Sequence, residues 1–211
     1  MTRTAAPRVI AAGNPEAIPA AVAALRDGLL VAIPTETVYG LACAPVERSL
    51  RRLVEAKVRS PDKGIALLLD SPDQAAALAV MPSAARSMAA RFWPGPLTLV
   101  LAARPEADLP ALMRGPAGTL GFRVPDHRLA RALARAAGPL ALTSANRSGE
   151  KEARSALEVV GMLGTAVALV IDGGVTTAGV PSTVVEVLKD GSPRVLREGA
   201  IGTADVHAAV R

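Results

Sequence analysis

The chain has 211 residues, half of them hydrophobic, with 24 Lys and Arg against 19 Asp and Glu for a formal charge of +5. That length allows one ordinary domain with a substantial core, and the modest charge, spread without a dense basic run, excludes a polybasic tail while leaving room for a local anion site. Only four aromatic residues, Tyr39, Phe92, Trp93 and Phe122, are available, so the core falls to Ala, Val and Leu, and a single-strand nucleic-acid binder built on aromatic platforms is disfavoured.

In chain order, residues 1–12 lack the apolar core of a signal peptide. A helix from about Pro19, ended by Gly28, leads into a strand over Leu29–Ile33. Further strands are predicted at Gly64–Leu69, Leu97–Ala102, Thr119–Val124, Leu140–Thr143 and Ala168–Asp172. Ser182–Leu188 and Arg194–Arg197 flank Asp190-Gly191, a hairpin signal. Helices are predicted near Leu50–Ala56, Pro72–Ala79, Ser83–Arg91, Arg128–Ala137 and Ser155–Leu163, with Ser71 and Ser83 as N-cap starts, and His207 falls in a terminal helix. No apolar run approaches the ~20 residues of a membrane span. Composition is even, with no repeat or low-complexity linker, so a single α/β domain with a mixed sheet is expected, and the C-terminal hairpin argues against a purely parallel doubly wound fold.

Five segments carry candidate chemistry. The apolar stripe Leu50, Leu53, Val54 points next to position 57, where Lys57 stands, with Arg59 and Lys63 following. A cation there has two readings: it snorkels outward and complements the helix dipole, or the three cations line a cleft that receives an anion. Thr143-Ser144-Ala145-Asn146-Arg147-Ser148-Gly149 follows a strand, where open α/β sheets place ligands, although Ser and Asn also suit an ordinary turn. Pro34-Thr35-Glu36-Thr37-Val38-Tyr39-Gly40-Leu41 also follows a strand. In Gly121-Phe122-Arg123-Val124-Pro125-Asp126-His127, Arg123 sits inside an apolar strand and needs an anion from the protein or a substrate. The tail group comprises Pro181-Ser182-Thr183-Val184-Val185 and Leu196-Arg197-Glu198-Gly199.

Several chemistries are absent. No P-loop and no G-x-G-x-x-G follows a strand. His127 and His207 have no metal-ligand spacing, and no nucleophile elbow accompanies His127. Cys43, the only cysteine, excludes an intramolecular disulfide and a Cys-based metal cluster and reads as a packed small residue. A reducing cytoplasm is the expected compartment.

Taken in order, PTETVYGL at 34–41, KVRSPDKG at 57–64, WPGPLTLVL at 93–101, GFRVPDH at 121–127, TSANRSG at 143–149, DGG at 172–174, PSTVVEV at 181–187 and LREGAI at 196–201 resemble the YrdC family of L-threonylcarbamoyladenylate synthases. The resemblance spans 11–201, leaving 1–10 as an N-terminal extension and 202–211 as a C-terminal helix or tail, and places the chain with the short type. It implies a YrdC-like twisted mixed sheet with flanking helices around a large basic cleft. It also implies conversion of L-threonine, bicarbonate and ATP, with magnesium held through the ATP phosphates, to threonylcarbamoyl-AMP and pyrophosphate. The product would pass to downstream threonylcarbamoyl-transfer proteins acting at position 37 of tRNA, with weak tRNA binding and no membrane partner.

The family signature falls on Lys57, Arg59, Ser144 and Asn146. By resemblance, Lys57, Arg59, Lys63, Thr119, Asn146 and Arg197 form the ATP site, with Lys57 and Arg59 stabilising charge. Thr37, Arg123, Ser144 and Ser182 hold threonine, with Thr35 as runner-up to Thr37. Two departures stand out: relatives place a His where this chain has Leu68, and often a Thr where it has Arg154. A non-enzymatic RNA-binding module and a carbamoyl-AMP-handling domain of the hydrogenase-maturation type are the alternatives; the latter comes fused to acylphosphatase and zinc-finger segments, which this sequence lacks.

Overall fold

In the computed structural model the described residues are 6–57 and 65–210. Among them, ten strands form one mixed sheet: β1 (Arg8–Ala11), β2 (Val31–Ile33), β3 (Gly40–Cys43), β4 (Ala66–Leu68), β5 (Leu97–Ala102), β6 (Thr119–Arg123), β7 (Leu140–Ser144), β8 (Leu169–Asp172), β9 (Thr183–Val187) and β10 (Pro193–Arg197). Their order is β1-β8-β2-β3-β7-β4-β6-β5-β9-β10. The ladders β1–β8, β8–β2, β4–β6 and β5–β9 run parallel, and the other five antiparallel. Among the described residues seven α-helices accompany them: α1 (Ala17–Arg26), α2 (Glu47–Lys57), α3 (Pro72–Leu78), α4 (Ser83–Phe92), α5 (Arg128–Ala137), α6 (Ala156–Leu163) and α7 (Thr203–Ala208).

Side-chain alternation along each strand divides the interior into two layers. On one face Leu41, Leu67, Leu99, Phe122 and Val185 pack under α2, α3, α4, α6 and α7 through Leu50, Leu53, Ala75, Met88, Val159 and Val206. On the other, Ile33, Ala42, Leu68, Leu142 and Ile171 pack under α1 and α5 through Ala21, Leu25, Ala130 and Leu133. Each fully buried Leu or Phe contributes about 1.5–3 kcal/mol of transfer free energy. The second layer takes residues from β1, β8, β2, β3, β7 and β4 but none from β6, β5, β9 or β10. Among the described residues no helix covers that half of the face, and the candidate site lies over it and the adjoining β4 and β7.

Most expected elements form within a residue or two of their expected bounds. Strands β1 and β3 were not anticipated. In β1 only Ile10 is buried, so no alternating pattern shows, whereas β3 is buried throughout and follows a polar segment that reads as a loop. Because β1 begins at Arg8 and pairs with β8, residues 8–10 belong to the sheet rather than to an extension. Ser83 is the first residue of α4, with Pro82 at the N-cap position, and Ser71 precedes α3 without a side-chain capping bond. Ser155 does cap α6, accepting from the Glu158 N–H at 3.2 Å. His127 caps α5 through Nδ1, which accepts from the Ala130 N–H at 3.4 Å. No helix among the described residues is long and apolar enough to cross a membrane.

Candidate functional site

A cavity of about 570 Å³ lies over β6, β5 and β9 and reaches across β4 and β7, within the range of small-molecule sites. Its floor follows the two-residue repeat of the strands. Thr119, Gly121 and Arg123 come from β6, Thr98 and Val100 from β5, Ala66 and Leu68 from β4, and Leu142 and Ser144 from β7. Ser182, just before β9, joins Val184 and Glu186 on the same face. Small side chains keep the floor low: a Cβ on Gly121 would stand 3.3 Å from Ala66 Cβ.

Strand β10 reaches this face through an irregularity. Val195 pairs with Val185, yet Arg197, not Leu196, pairs with Val184. Strict alternation would send Arg197 to the core face opposite Thr183. The extra residue rephases the strand, as bulges do, and Arg197 lines the cavity. There its Nη2 donates to the Ser182 carbonyl at 2.8 Å and approaches Ser182 Oγ at 3.4 Å. Burial pushes the Arg197 guanidinium below its ordinary value; the Glu152 carboxylate opposes that shift, and the Arg123 charge adds to it.

Arg123 is 7% exposed and meets the anion its position demands, the Glu36 carboxylate. Its Nη2 donates to Glu36 Oε1 at 2.7 Å and to Thr37 Oγ1 at 2.9 Å, and its Nε to the Gly95 carbonyl at 3.3 Å. A guanidinium has five N–H donors. Among the described residues the two on Nη1 carry no further bond, and Arg123 is a lining residue. Glu36 Oε2 is buried without a partner among the described residues.

Thr37 lies behind the wall, fully buried, with its hydroxyl 2.9 Å from that of Thr35. Thr35, the runner-up, is the one that lines the cavity. Its hydroxyl also donates to the Val38 carbonyl at 2.6 Å, which fixes the tight turn between β2 and β3.

Lys57 ends α2 and is 3% exposed. It does not snorkel to solvent. Its Nζ donates to the Ser144 carbonyl at 2.5 Å, the Asn146 carbonyl at 2.6 Å and Asn146 Oδ1 at 3.3 Å, while its own carbonyl accepts from the Ser148 N–H at 2.9 Å. Asn146 Nδ2 in turn donates to the Glu150 carbonyl at 2.6 Å. The segment 144–150 is therefore held in place by α2, with Lys57, Ser144 and Asn146 all on the cavity wall.

The described lining carries Lys57, Arg123, Arg194 and Arg197 against Glu150, Glu152 and Glu186, and Arg194 is ion-paired with Glu186. These charges nearly balance. Arg59 and Lys63, the other cations expected here, lie outside the described residues, as does Gly64 of the expected fourth-strand segment. Thr119 lines the cavity with its hydroxyl donating to the Pro116 carbonyl at 3.0 Å. Leu68, paired in register with Arg123, presents an apolar side chain at its edge. Arg154 is not among the lining residues; its Nη2 donates to the Thr176 carbonyl at 3.4 Å.

Two other expectations are settled by burial. The Cys43 thiol is fully buried and pushed up to about 12 by desolvation, so it is no nucleophile. Burial also lowers His127, with Glu36 and Asp126 opposing the shift. Residues of the site that the sequence alone does not single out include Thr98, Glu36 and Glu152. Glu36 had a usable signal, since it is the only acid in the 34–41 segment whose partner cation was already in question.

The Sua5/YciO/YrdC family model, which bears the description "Telomere recombination", matches residues 23–199. A threonylcarbamoyl-AMP synthase of Bacillus subtilis (strain 168) is 39% identical over 200 residues, covering 93% of this chain and 57% of the relative. One from Chromohalobacter salexigens is 43% identical over 167 residues, 78% of this chain and 89% of the relative. Among solved structures, P. abyssi Sua5 complexed with L-threonine superimposes with a TM-score of 0.88 at 36% identity, over 96% of this chain and 60% of that one. The chain thus spans little more than half the length of some of the relatives it matches.

Proposed function

The chain belongs to the Sua5/YciO/YrdC family, and we propose that it makes L-threonylcarbamoyladenylate from L-threonine, bicarbonate and ATP. In this reaction the threonine amine and bicarbonate give a carbamate and water. A carbamate oxygen then bonds to the α-phosphorus of ATP while the bond to the β-phosphate oxygen breaks, releasing pyrophosphate.

One observation carries the reading. Lys57, Thr119, Arg123, Ser144, Asn146, Ser182 and Arg197 come from segments scattered over 140 positions of sequence, yet all line one cavity. No covalent nucleophile is required, because adenylate formation is mainly positioning and stabilisation of negative charge. The N–H groups on Arg123 Nη1 can donate a charge-assisted hydrogen bond to a carboxylate oxygen beside the guanidinium charge. We assign it the threonine carboxylate, with Ser144, Ser182 and Thr35 around the rest of the amino acid and Thr37 supporting Arg123 and Thr35 from behind the wall. ATP takes the side of Thr119, Asn146 and Arg197, with Arg59 and Lys63 supplying the basic character of the cleft. Lys57 acts chiefly by holding the 144–150 segment and by its charge.

Among the described residues no group of three or more His, Cys, Asp or Glu is placed to cage a metal. Magnesium would enter on the triphosphate, as this ion commonly does, and neutralise phosphate charge there. Leu68 offers no hydrogen bond, so amino-acid recognition depends on Arg123 and the hydroxyl groups. The product would be consumed by threonylcarbamoyl-transfer proteins acting on tRNA position 37, with weak tRNA contact and a cytoplasmic location.

The test is pyrophosphate release from ATP, with threonine and bicarbonate omitted in turn. Release should require both; release that proceeds equally well without threonine overturns the assignment.

A further inference from the structure

We propose that Thr98 is a positioning residue for the amino-acid substrate, fixing the Ser182 hydroxyl so that the pair presents one directed O–H to the cavity. The inference rests on the reading that an amino acid occupies the Ser182 side of the site.

Thr98 lies on β5 opposite Val184 of β9, and its hydroxyl is 2.8 Å from Ser182 Oγ. Both residues are buried, at 6% and 5% exposure, and both line the cavity. A buried hydroxyl is costly unless bonded, and Ser182 Oγ is the one hydrogen-bond partner of the Thr98 hydroxyl among the described residues. Val would suit this position equally well on propensity and shape, since its strand neighbours on the same face are Val100 and Val184. Gly121 leaves the spot open: a Cβ there would come 3.8 Å from Thr98 Cγ2.

The donor count does the rest. Two hydroxyls carry two hydrogens and four lone pairs. Arg197 Nη2 can only donate, so it fills a lone pair of Ser182. One hydrogen is used between Thr98 and Ser182 in either direction of their bond. One O–H therefore remains for a ligand acceptor, with its direction set by the pair and by Arg197. Ser182 alone would keep a rotating hydroxyl. With Thr98 donating in that bond, the free hydrogen is that of Ser182, and Thr98 acts through Ser182 to pre-orient a donor towards the substrate.

Initial rates of pyrophosphate release decide this for Thr98→Val and Thr98→Ser, varying threonine and ATP separately. Thr98→Val should raise the threonine KM about tenfold, the scale of one directed hydrogen bond. The ATP KM should stay within about twofold and the thermal midpoint should not fall, while Thr98→Ser should keep the wild-type threonine KM. An unchanged threonine KM in Thr98→Val overturns the inference. So does an equal loss in Thr98→Ser, or both KM values rising together with a lower midpoint. Should Thr98→Val not fold, Thr98→Ala against Thr98→Ser makes the same comparison. A wild type without threonine-dependent release would refute the proposed activity and this inference with it; a wild type that has it, beside an unaltered Thr98→Val, refutes the inference alone.

Discussion

Replacing Lys57 with Met keeps the helix-favouring, unbranched stem of the side chain but removes the ammonium. In the folded protein that ammonium reaches three oxygens of the neighbouring segment, two of them main-chain carbonyls of Ser144 and Asn146. A hydrogen bond from a charged donor contributes about 1.5–3 kcal/mol net, and a buried acceptor left without its donor costs a similar amount. These bonds share one donor atom and are not additive, so a loss of roughly 3 kcal/mol is expected. For a chain of this size, about 2–4 °C per kcal/mol converts that into a fall in thermal midpoint of roughly 6–12 °C. Urea unfolding, with the midpoint shifting at constant slope, gives the same quantity independently. Lys57→Arg should recover only part of the loss, because a planar fork cannot direct its donors onto three convergent oxygens as an ammonium does. A Lys57→Met protein within about 1 kcal/mol of wild type would show that the lysine does not hold the 144–150 segment.

Arg59→Ala provides the contrast: turnover should vanish while the thermal midpoint moves by no more than a few degrees, and a large loss of stability would mean that Arg59 is structural. Glu36→Gln removes the carboxylate that faces Arg123 at 2.7 Å and leaves a buried guanidinium uncompensated. Breaking one side of such a pair costs about 3–5 kcal/mol when both are buried, and with Glu36 17% exposed we expect the lower end, read by denaturant unfolding; an unaltered midpoint would contradict the pairing. His127 is held below its ordinary value of 6.5 by burial, so the unfolded chain takes up the proton first. Its contribution to stability is therefore present above about pH 6.5 and is lost as the pH falls below it. His127→Asn, which can still cap α5, should flatten that part of the stability profile between pH 7 and 5, and an unchanged slope would refute the linkage.

The helices were largely legible in the sequence because their apolar periodicity is strong, as in α5, whose buried Ala130, Leu133 and Ala134 lie on one side. Sheet order was not. Strand β8 inserts between β1 and β2 although more than 130 residues separate it from either, and no local pattern encodes a pairing over that distance. Strand β3 was hidden because Gly40 to Cys43 is buried on both faces, so its apolar run carries no alternation. At the site, Arg123 announced itself as a cation within an apolar strand, but which carboxylate it meets depends on how the β2–β3 turn folds over β6. Thr98 gave no signal, since a β-branched residue in LTLVL is what any strand contains. Arg197 was placed by family resemblance alone; alternation from Val195 would have put it on the wrong face.

The displaced register of β10 also bears on how the protein behaves in a crowded solution. Strand β10 closes one end of the sheet, and an end strand offers main-chain donors and acceptors on which a strand from another molecule could template itself. Pro193 removes one donor at its start, the extra residue between Val195 and Arg197 interrupts the ladder, and Arg194 adds a charge. The same interruption that turns Arg197 into the cavity thus leaves the outer rim of β10 a poor seed for intermolecular β-stacking.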